Sequence, residues 1–212
     1  MSESPSGHYF DATPEARSRP TEVRLDLPDV SFDLRADRGV FSADRVDAGT
    51  KVLLLEAPAP PDEGDLLDLG CGYGPIALTL AARAPRATVW AVDVNERARA
   101  LTRANAAAAG LGNVRTAAPD EVPPQVRFAA VWSNPPVRIG KAALHDLLTR
   151  WLDRLAPGAH AFLVVQKHLG SDSLHRWLEE RGFAVTRCAS RMAYRVLDVS
   201  AGPGAAEPGA GA

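Results

Sequence analysis

Three short stretches of this chain combine residue types that do chemistry. Asp68-Leu69-Gly70-Cys71-Gly72-Tyr73-Gly74-Pro75 sets a carboxylate in an apolar run and follows it with three glycines at alternate positions. Glycines there let the backbone fold sharply and let a ligand lie against the chain with no Cβ in the way. Asp93 ends the next apolar run, 23 residues after Gly70. An acidic side chain there can accept hydrogen bonds from both hydroxyls of a ribose cradled at the first turn. The third stretch is Ser133-Asn134-Pro135-Pro136. Its two prolines force a rigid, extended turn and remove two N–H donors, which leaves Asn134 and the nearby carbonyls presented.

Spacing separates the possible readings of the glycine loop. A dinucleotide fingerprint requires G-x-G-x-x-G, but Gly74 comes one residue early and Pro75 takes the sixth position. A P-loop requires Gly-Lys-Ser/Thr, and no Lys follows these glycines. The remaining D-x-G-x-G-x-G pattern resembles the cofactor loop of class I S-adenosylmethionine (SAM) methyltransferases. Such a cofactor suits the Asn-Pro-Pro turn. An exocyclic amino group on a base, or an amide nitrogen, is a poor nucleophile because its lone pair is delocalised. The Asn134 side-chain oxygen and the Pro135 carbonyl can accept both N–H hydrogens and aim the lone pair at the methyl group. The gain is placement and electrostatics rather than base strength. The sulfur of SAM carries a positive charge that transfer neutralises, so no leaving-group acid is needed.

The resemblance extends beyond these stretches. D-L-G-C-G-Y-G-P-I at 68–76, V-D-V-N at 92–95, S-N-P-P-V-R-I-G-K at 133–141 and Q-K-H-L-G at 166–170 resemble the methyltransferase small domain family. G-V-F-S at 39–42, V-D-A-G-T at 46–50 and H-Y-F at 8–10 are similar to the segment that precedes its catalytic domain. That family includes the bacterial rRNA guanine-N2 methyltransferases. The resemblance implies SAM as cofactor and RNA as partner, with guanine N2 of rRNA as the favoured acceptor. It assigns SAM binding to Asp68, Gly70, Gly72 and Asp93, with Cys71, Gly74, Val94 and Asn134 as further candidates around them. Asn134, Pro135 and Pro136 are the catalytic candidates. Val137, Arg138, Lys141 and Lys167 are substrate-binding candidates, the three cations as phosphate contacts. Val137 stands where related Asn-Pro-Pro enzymes often carry an aromatic ring for the target base; Phe41 and Tyr73 are alternative rings. Two other readings are a methyltransferase of a protein glutamine amide or DNA adenine, and a non-catalytic SAM-binding RNA or assembly factor. Larger rRNA enzymes of this group carry a second, N-terminal copy of the domain, for which 212 residues leave no room.

The elements that position these residues follow from periodicity. Val23–Leu27 and Val30–Leu34 alternate around Pro28-Asp29 and predict a β-hairpin. Asp47-Ala48-Gly49-Thr50 reads as the cap of a short helix over 51–55. From Asp65 the chain alternates strand and helix: strands at 65–69, 88–93, 114–116, 128–132 and 159–165. Between them lie helices at 75–84, 96–109 (with Asn95 as N-cap), 141–155 and 173–181, the third stopped by Pro157-Gly158. Strands at 184–188 and 194–199 close the chain with no helix between them. The expected fold is α/β: a doubly wound, seven-stranded, mostly parallel sheet with an antiparallel terminal strand and a small N-terminal hairpin extension. Residues 8–60 form the extension, 61–200 the methyltransferase domain, and 1–7 and 201–212 read as disordered tails. Trp151 and Trp177 are expected in the core.

Composition sets the outer bounds. A net charge of −2 argues against non-specific coating of polyanions while allowing a local basic rim. No apolar run approaches the ~18 residues of a membrane span. The N-terminus lacks the basic and apolar regions of a signal peptide. Two cysteines make no disulfide framework and no metal pattern, and a reduced, cytoplasmic setting is expected. Cys71 reads as a small turn residue.

Overall fold

The computed structural model describes residues 18–202, so the motif at 8–10 and the tail assignments at 1–7 and 203–212 lie outside the described residues. The described chain begins with strands β1 (Pro20–Asp26) and β2 (Ser31–Asp37) and helix α1 (Ala48–Glu56). Strand β3 (Asp65–Leu69), helix α2 (Pro75–Arg83), β4 (Thr88–Val92), α3 (Glu96–Ala108) and β5 (Val114–Ala117) follow. The second half runs β6 (Phe128–Ser133), α4 (Lys141–Leu152), β7 (Leu155–Gln166), α5 (Ser171–Glu180), β8 (Phe183–Arg191) and β9 (Tyr194–Ala201).

The runs of β3 and β4 are apolar almost without alternation because both of their faces are covered, as in a parallel sheet packed by helices on each side. Sheet order is β5-β4-β3-β6-β7-β9-β8, with β9 antiparallel to both of its neighbours. The last strand is therefore not at the edge: it inserts between β7 and β8. Successive side chains of the central strands feed two cores. Leu66, Val89, Trp132 and Val164 face α1, α2 and the N-terminal hairpin; Leu67, Val92, Val131 and Leu163 face α4 and α5. From β3 the chain builds outward through β4 and β5, then returns and builds the other way from β6. That reversal makes the C-terminal ends of β3 and β6 the switch point, where such sheets open a crevice for ligands.

The expected helix to residue 155 and strand from 159 need correction. Helix α4 stops at Leu152, and β7 already begins at Leu155. Phe128 pairs with Leu155, donating its N–H to the Arg154 carbonyl at 2.9 Å, before the register slips so that Ala130 faces His160. The slip takes up Pro157-Gly158 and turns Phe128 toward the α4–α5 core although Ala130 faces the other side. Strand β9 runs through Ala201, one residue into the expected tail. Trp151 is fully buried as expected, whereas Trp177 is only half-buried and stacks on His145 with ring centroids 3.7 Å apart.

Besides its core packing and the Arg83–Asp29 ion pair, the N-terminal hairpin is tied to α3 through Asn105. Asn105 of α3 accepts from the Arg35 N–H at 2.9 Å through its oxygen. Its amide nitrogen donates to the Arg35 carbonyl at 2.9 Å and the Tyr73 carbonyl at 2.8 Å. Replacement by Ala strips partners from three backbone groups, each costly to leave unpaired. Asn105→Ala is expected to destabilise the protein by about 2 kcal/mol, read as a lowered melting temperature. An unchanged melting curve would show that water replaces these bonds without loss.

Candidate active site at the switch point

The glycine loop is pinned to the strand ends on both sides. Gly70 and Cys71 donate their N–H groups to the Val92 carbonyl of β4 at 2.8 and 3.1 Å. On the other side the buried Ser133 hydroxyl donates to the Leu69 carbonyl of β3 at 2.7 Å. Gly70, Gly72 and Gly74 have φ of 80°, 57° and 97°, a left-handed region that penalises any side chain. Their surroundings differ. A Cβ on Gly70 would meet nothing within 4 Å, and one on Gly72 only Val40 at 3.9 Å. A Cβ on Gly74 would meet Leu78 at 2.8 Å and Thr102 at 3.0 Å. Gly70 and Gly72 thus offer bare backbone to open space, while Gly74 lets α2 and α3 close on the loop. Pro75 follows as the first residue of α2, where its missing N–H is harmless.

Two carboxyls border this space. Asp68 is fully buried; one oxygen accepts the Ala77 N–H at 2.9 Å and the other has no partner. Burial pushes its carboxyl up to about 8, the Ala77 bond opposes this, and the nearby Asp93 charge adds to it. Asp93 accepts from the Gly72 N–H at 3.0 Å and the Asn95 N–H at 2.9 Å. Burial raises its carboxyl and those two bonds pull it back. A carboxylate has about four acceptor sites, so Asp93 keeps capacity beyond these backbone bonds. Val94 beside it is exposed. Asn95 caps α3, as expected, and donates to the Gly39 carbonyl at 2.8 Å, which draws the 39–42 segment alongside the loop. The open Gly70–Gly72 backbone, the ribose-type acceptor at Asp93 and the orphaned Asp68 oxygen fit a nucleoside carrying a positive charge, as SAM does.

Cys71 is buried, with the Thr102 hydroxyl donating toward its sulfur at 3.6 Å. Burial holds its thiol well above the ordinary value, so it fits as a turn residue and not as a thiolate.

The Asn-Pro-Pro turn leaves β6 beside the glycine loop. Asn134 is half-buried, and its amide nitrogen donates to Asp47 Oδ2 at 2.9 Å and Thr50 Oγ1 at 3.1 Å. Among the described residues no donor engages Asn134 Oδ1. The Pro135 carbonyl accepts the Val137 N–H at 2.8 Å, closing an inverse γ-turn at Pro136 (φ −74°, ψ 75°). One lone pair of the Pro135 oxygen is thereby used and one remains. A 3-10 turn over Val137–Ile139 follows, which the sequence pattern does not reveal, and then α4. Arg138, Lys141 and His168 are exposed, whereas Lys167 is half-buried and donates its backbone N–H to the Ala193 carbonyl at 2.8 Å.

Tyr73 does not supply a ring for a base. It is 2 % exposed and its hydroxyl donates to the Arg45 carbonyl at 3.3 Å, so it belongs to the core. Phe41 keeps 44 % of its surface. The sequence marks Asp47 to Thr50 as a helix cap. Asp47 does cap α1, accepting the Thr50 N–H at 3.0 Å, but both residues also hold Asn134. Their one sequence signal is the V-D-A-G-T segment itself.

Comparison with known proteins agrees with this geometry. The family model described as "Methyltransferase small domain" matches residues 31–204. The uncharacterized protein YbxB of Bacillus subtilis (strain 168) is 34% identical over 91% of this chain and 97% of its own length. The ribosomal RNA small subunit methyltransferase C of Pseudomonas aeruginosa (strain LESB58) is 34% identical over 75% of this chain. The match spans about half (52%) of that enzyme. Among solved structures, the T. thermophilus 16S rRNA N2 G1207 methyltransferase (RsmC), in complex with AdoMet and guanosine, superposes with a TM-score of 0.67 at 24% identity. That superposition covers 89% of this chain and 52% of the other. The chain belongs to the methyltransferase small domain family, and by family and fold it is a SAM-dependent methyltransferase.

Proposed function

We propose that the chain methylates an exocyclic amine of RNA, guanine N2 of ribosomal RNA in particular. The observation that carries this reading is the Ser133–Leu69 hydrogen bond, which sets Asn134-Pro135-Pro136 directly against the glycine loop. SAM, when bound, supplies an electrophilic methyl group on a cationic sulfur. Gly70 and Gly72 would give it a bare backbone wall beside Cys71, and Asp93, next to Val94, would accept from the ribose hydroxyls. Asn134 Oδ1 and the remaining lone pair of the Pro135 carbonyl accept the two N–H hydrogens of the target amine. That holds its nitrogen in line, and preorganised acceptors of this kind act without reorganising at the moment of reaction. The proton lost by the methylated amine passes to water, so no side-chain base is required.

Substrate choice rests on several supports. The Pseudomonas aeruginosa relative named as a ribosomal RNA methyltransferase matches about three quarters (75%) of this chain, and Arg138, Lys141 and Lys167 provide cations for phosphates next to the turn. Val137 packs partly into the α4–α5 core and leaves the base-stacking surface to other residues, of which Phe41 is the exposed aromatic nearest the loop in sequence. The direct experiment is labelled methyl transfer from SAM to total RNA, protein and DNA from cells lacking the chain. Label in RNA is expected, and label only in protein or DNA would overturn the reading. Asn134→Ala should retain SAM binding and lose at least about 100-fold in turnover, as for loss of a preorganised polar contact. Retained turnover would remove Asn134 from the mechanism.

The raised carboxyls give a pH signature. In the folded chain Asp68 keeps its proton up to about pH 8, whereas an unfolded Asp loses it near pH 4. The folded state therefore binds the extra proton, and ligand-free stability falls as pH rises through that window. A cationic ligand favours ionised Asp68 and Asp93 and offsets the loss. Calorimetry should show SAM affinity strengthening as pH rises toward about 8. S-adenosylhomocysteine, neutral at sulfur, should strengthen less; equal slopes for the two would contradict this.

A further inference from the structure

We infer that Asp47 is a positioning residue for methyl transfer: it orients and polarises the Asn134 amide, and so sets the acceptor that holds the target amine. The inference rests on the reading that Asn134 Oδ1 receives that amine. A primary amide has two faces that look alike in size and are opposite in chemistry. With its oxygen toward the substrate it accepts an N–H; flipped by 180° it meets the same N–H with a donor. Something must choose between the two.

Asp47 makes the choice. A carboxylate oxygen can only accept, so the group it contacts at 2.9 Å must be the amide NH₂. Thr50 Oγ1 accepts from the same nitrogen at 3.1 Å, and the flipped amide would set its oxygen against the carboxylate. A negative acceptor also draws the N–H dipole and raises electron density on the amide oxygen, as coupled hydrogen bonds do in a low-dielectric site. Asn134 Oδ1 thereby becomes a stronger acceptor without becoming a base.

Asp47 is itself held still. Its Oδ2 accepts both the Asn134 amide and the Thr50 backbone N–H, so the N-cap of α1 and the tether use the same oxygen. The helix has Gly49 in its first turn, and a Cβ there would lie 2.9 Å from Asp47 Oδ2 and 2.7 Å from Tyr194 Cε1. Gly49 is what lets the carboxylate and the Tyr194 ring close on one another. The positioning group thus comes from the N-terminal segment, 87 residues before the side chain it serves.

A cap alone would explain where α1 starts but not the tether, and substitutions separate the two. Serine is a good N-cap but too short to span to Asn134; asparagine keeps an oxygen for both bonds but no charge. Asp47→Ser should therefore keep its melting temperature within a few degrees, keep its SAM affinity, and lose about 100-fold in kcat on rRNA from cells lacking the chain. Asp47→Asn should fall between Ser and wild type. The second readout needs no turnover: by NMR the Asn134 side-chain NH₂ protons, identified by their loss in Asn134→Ala, should exchange slowly in wild type. In Asp47→Ser they should exchange at the rate of a free amide. Unaltered kcat or unaltered exchange in Asp47→Ser would overturn the inference. Slow exchange lost in Asp47→Ser, in a wild-type protein that methylates no RNA, would instead overturn the functional reading and with it the catalytic role, leaving the tether proved.

Discussion

The hydrogen bond from the Ser133 hydroxyl to the Leu69 carbonyl, 2.7 Å long and buried, joins the two strand ends on which the site depends. Strands β3 and β6 are neighbours in the sheet, yet the chain reaches them by building outward in opposite directions. No helix crosses between them at their C-terminal ends, and a crevice results. One lip is the glycine loop, tied down to Val92; the other is the Asn-Pro-Pro turn. Moving either strand end by an ångström would separate the proposed cofactor wall from the proposed acceptor pair, and misplacement of that size is costly to a reaction that relies on alignment.

The N-terminal segment is part of this arrangement and not only a cover. Its hairpin is bound through Asn105, its 39–42 stretch is drawn to the loop by Asn95, and its helix α1 supplies Asp47. Val23, Leu25 and Leu34 share one core with Leu66, Leu78 and Trp132. Burying the extension therefore stabilises the sheet face and brings the Asp47 carboxylate to the Asn-Pro-Pro turn in the same step. The electrostatics point the same way: Asp68 and Asp93 are raised by burial, and a cationic ligand relieves that cost.

What was legible in the sequence followed from local physics. Apolar runs ending in a carboxylate and then glycine marked β3 and its loop, and Asn95 and Asp47 were recognisable caps because capping is decided within three residues. The doubly wound class followed from alternating strands and helices, and its antiparallel member from the missing helix before β9. What was illegible was non-local. Pro157-Gly158 reads as a helix stop, and only the pairing of Phe128 with Leu155 shows that the strand starts before it. Nothing in the periodicity of β8 and β9 says that the later strand inserts inward. Tyr73 looks available in a glycine turn, but the 39–45 segment buries it. The Asp47–Asn134 contact joins residues 87 apart in sequence, and no local pattern reports it.

The proposed acceptor is the nitrogen of an amine, so the position of the transferred methyl group is the most direct test. Ribosomal RNA incubated with the protein and SAM carrying a deuterated methyl group can be digested to nucleosides and read by mass spectrometry. The expected product is guanosine labelled on its exocyclic N2. Label on a ribose hydroxyl, a ring carbon or a ring nitrogen would contradict the account, because an acceptor pair built to hold two N–H hydrogens has no part in those reactions.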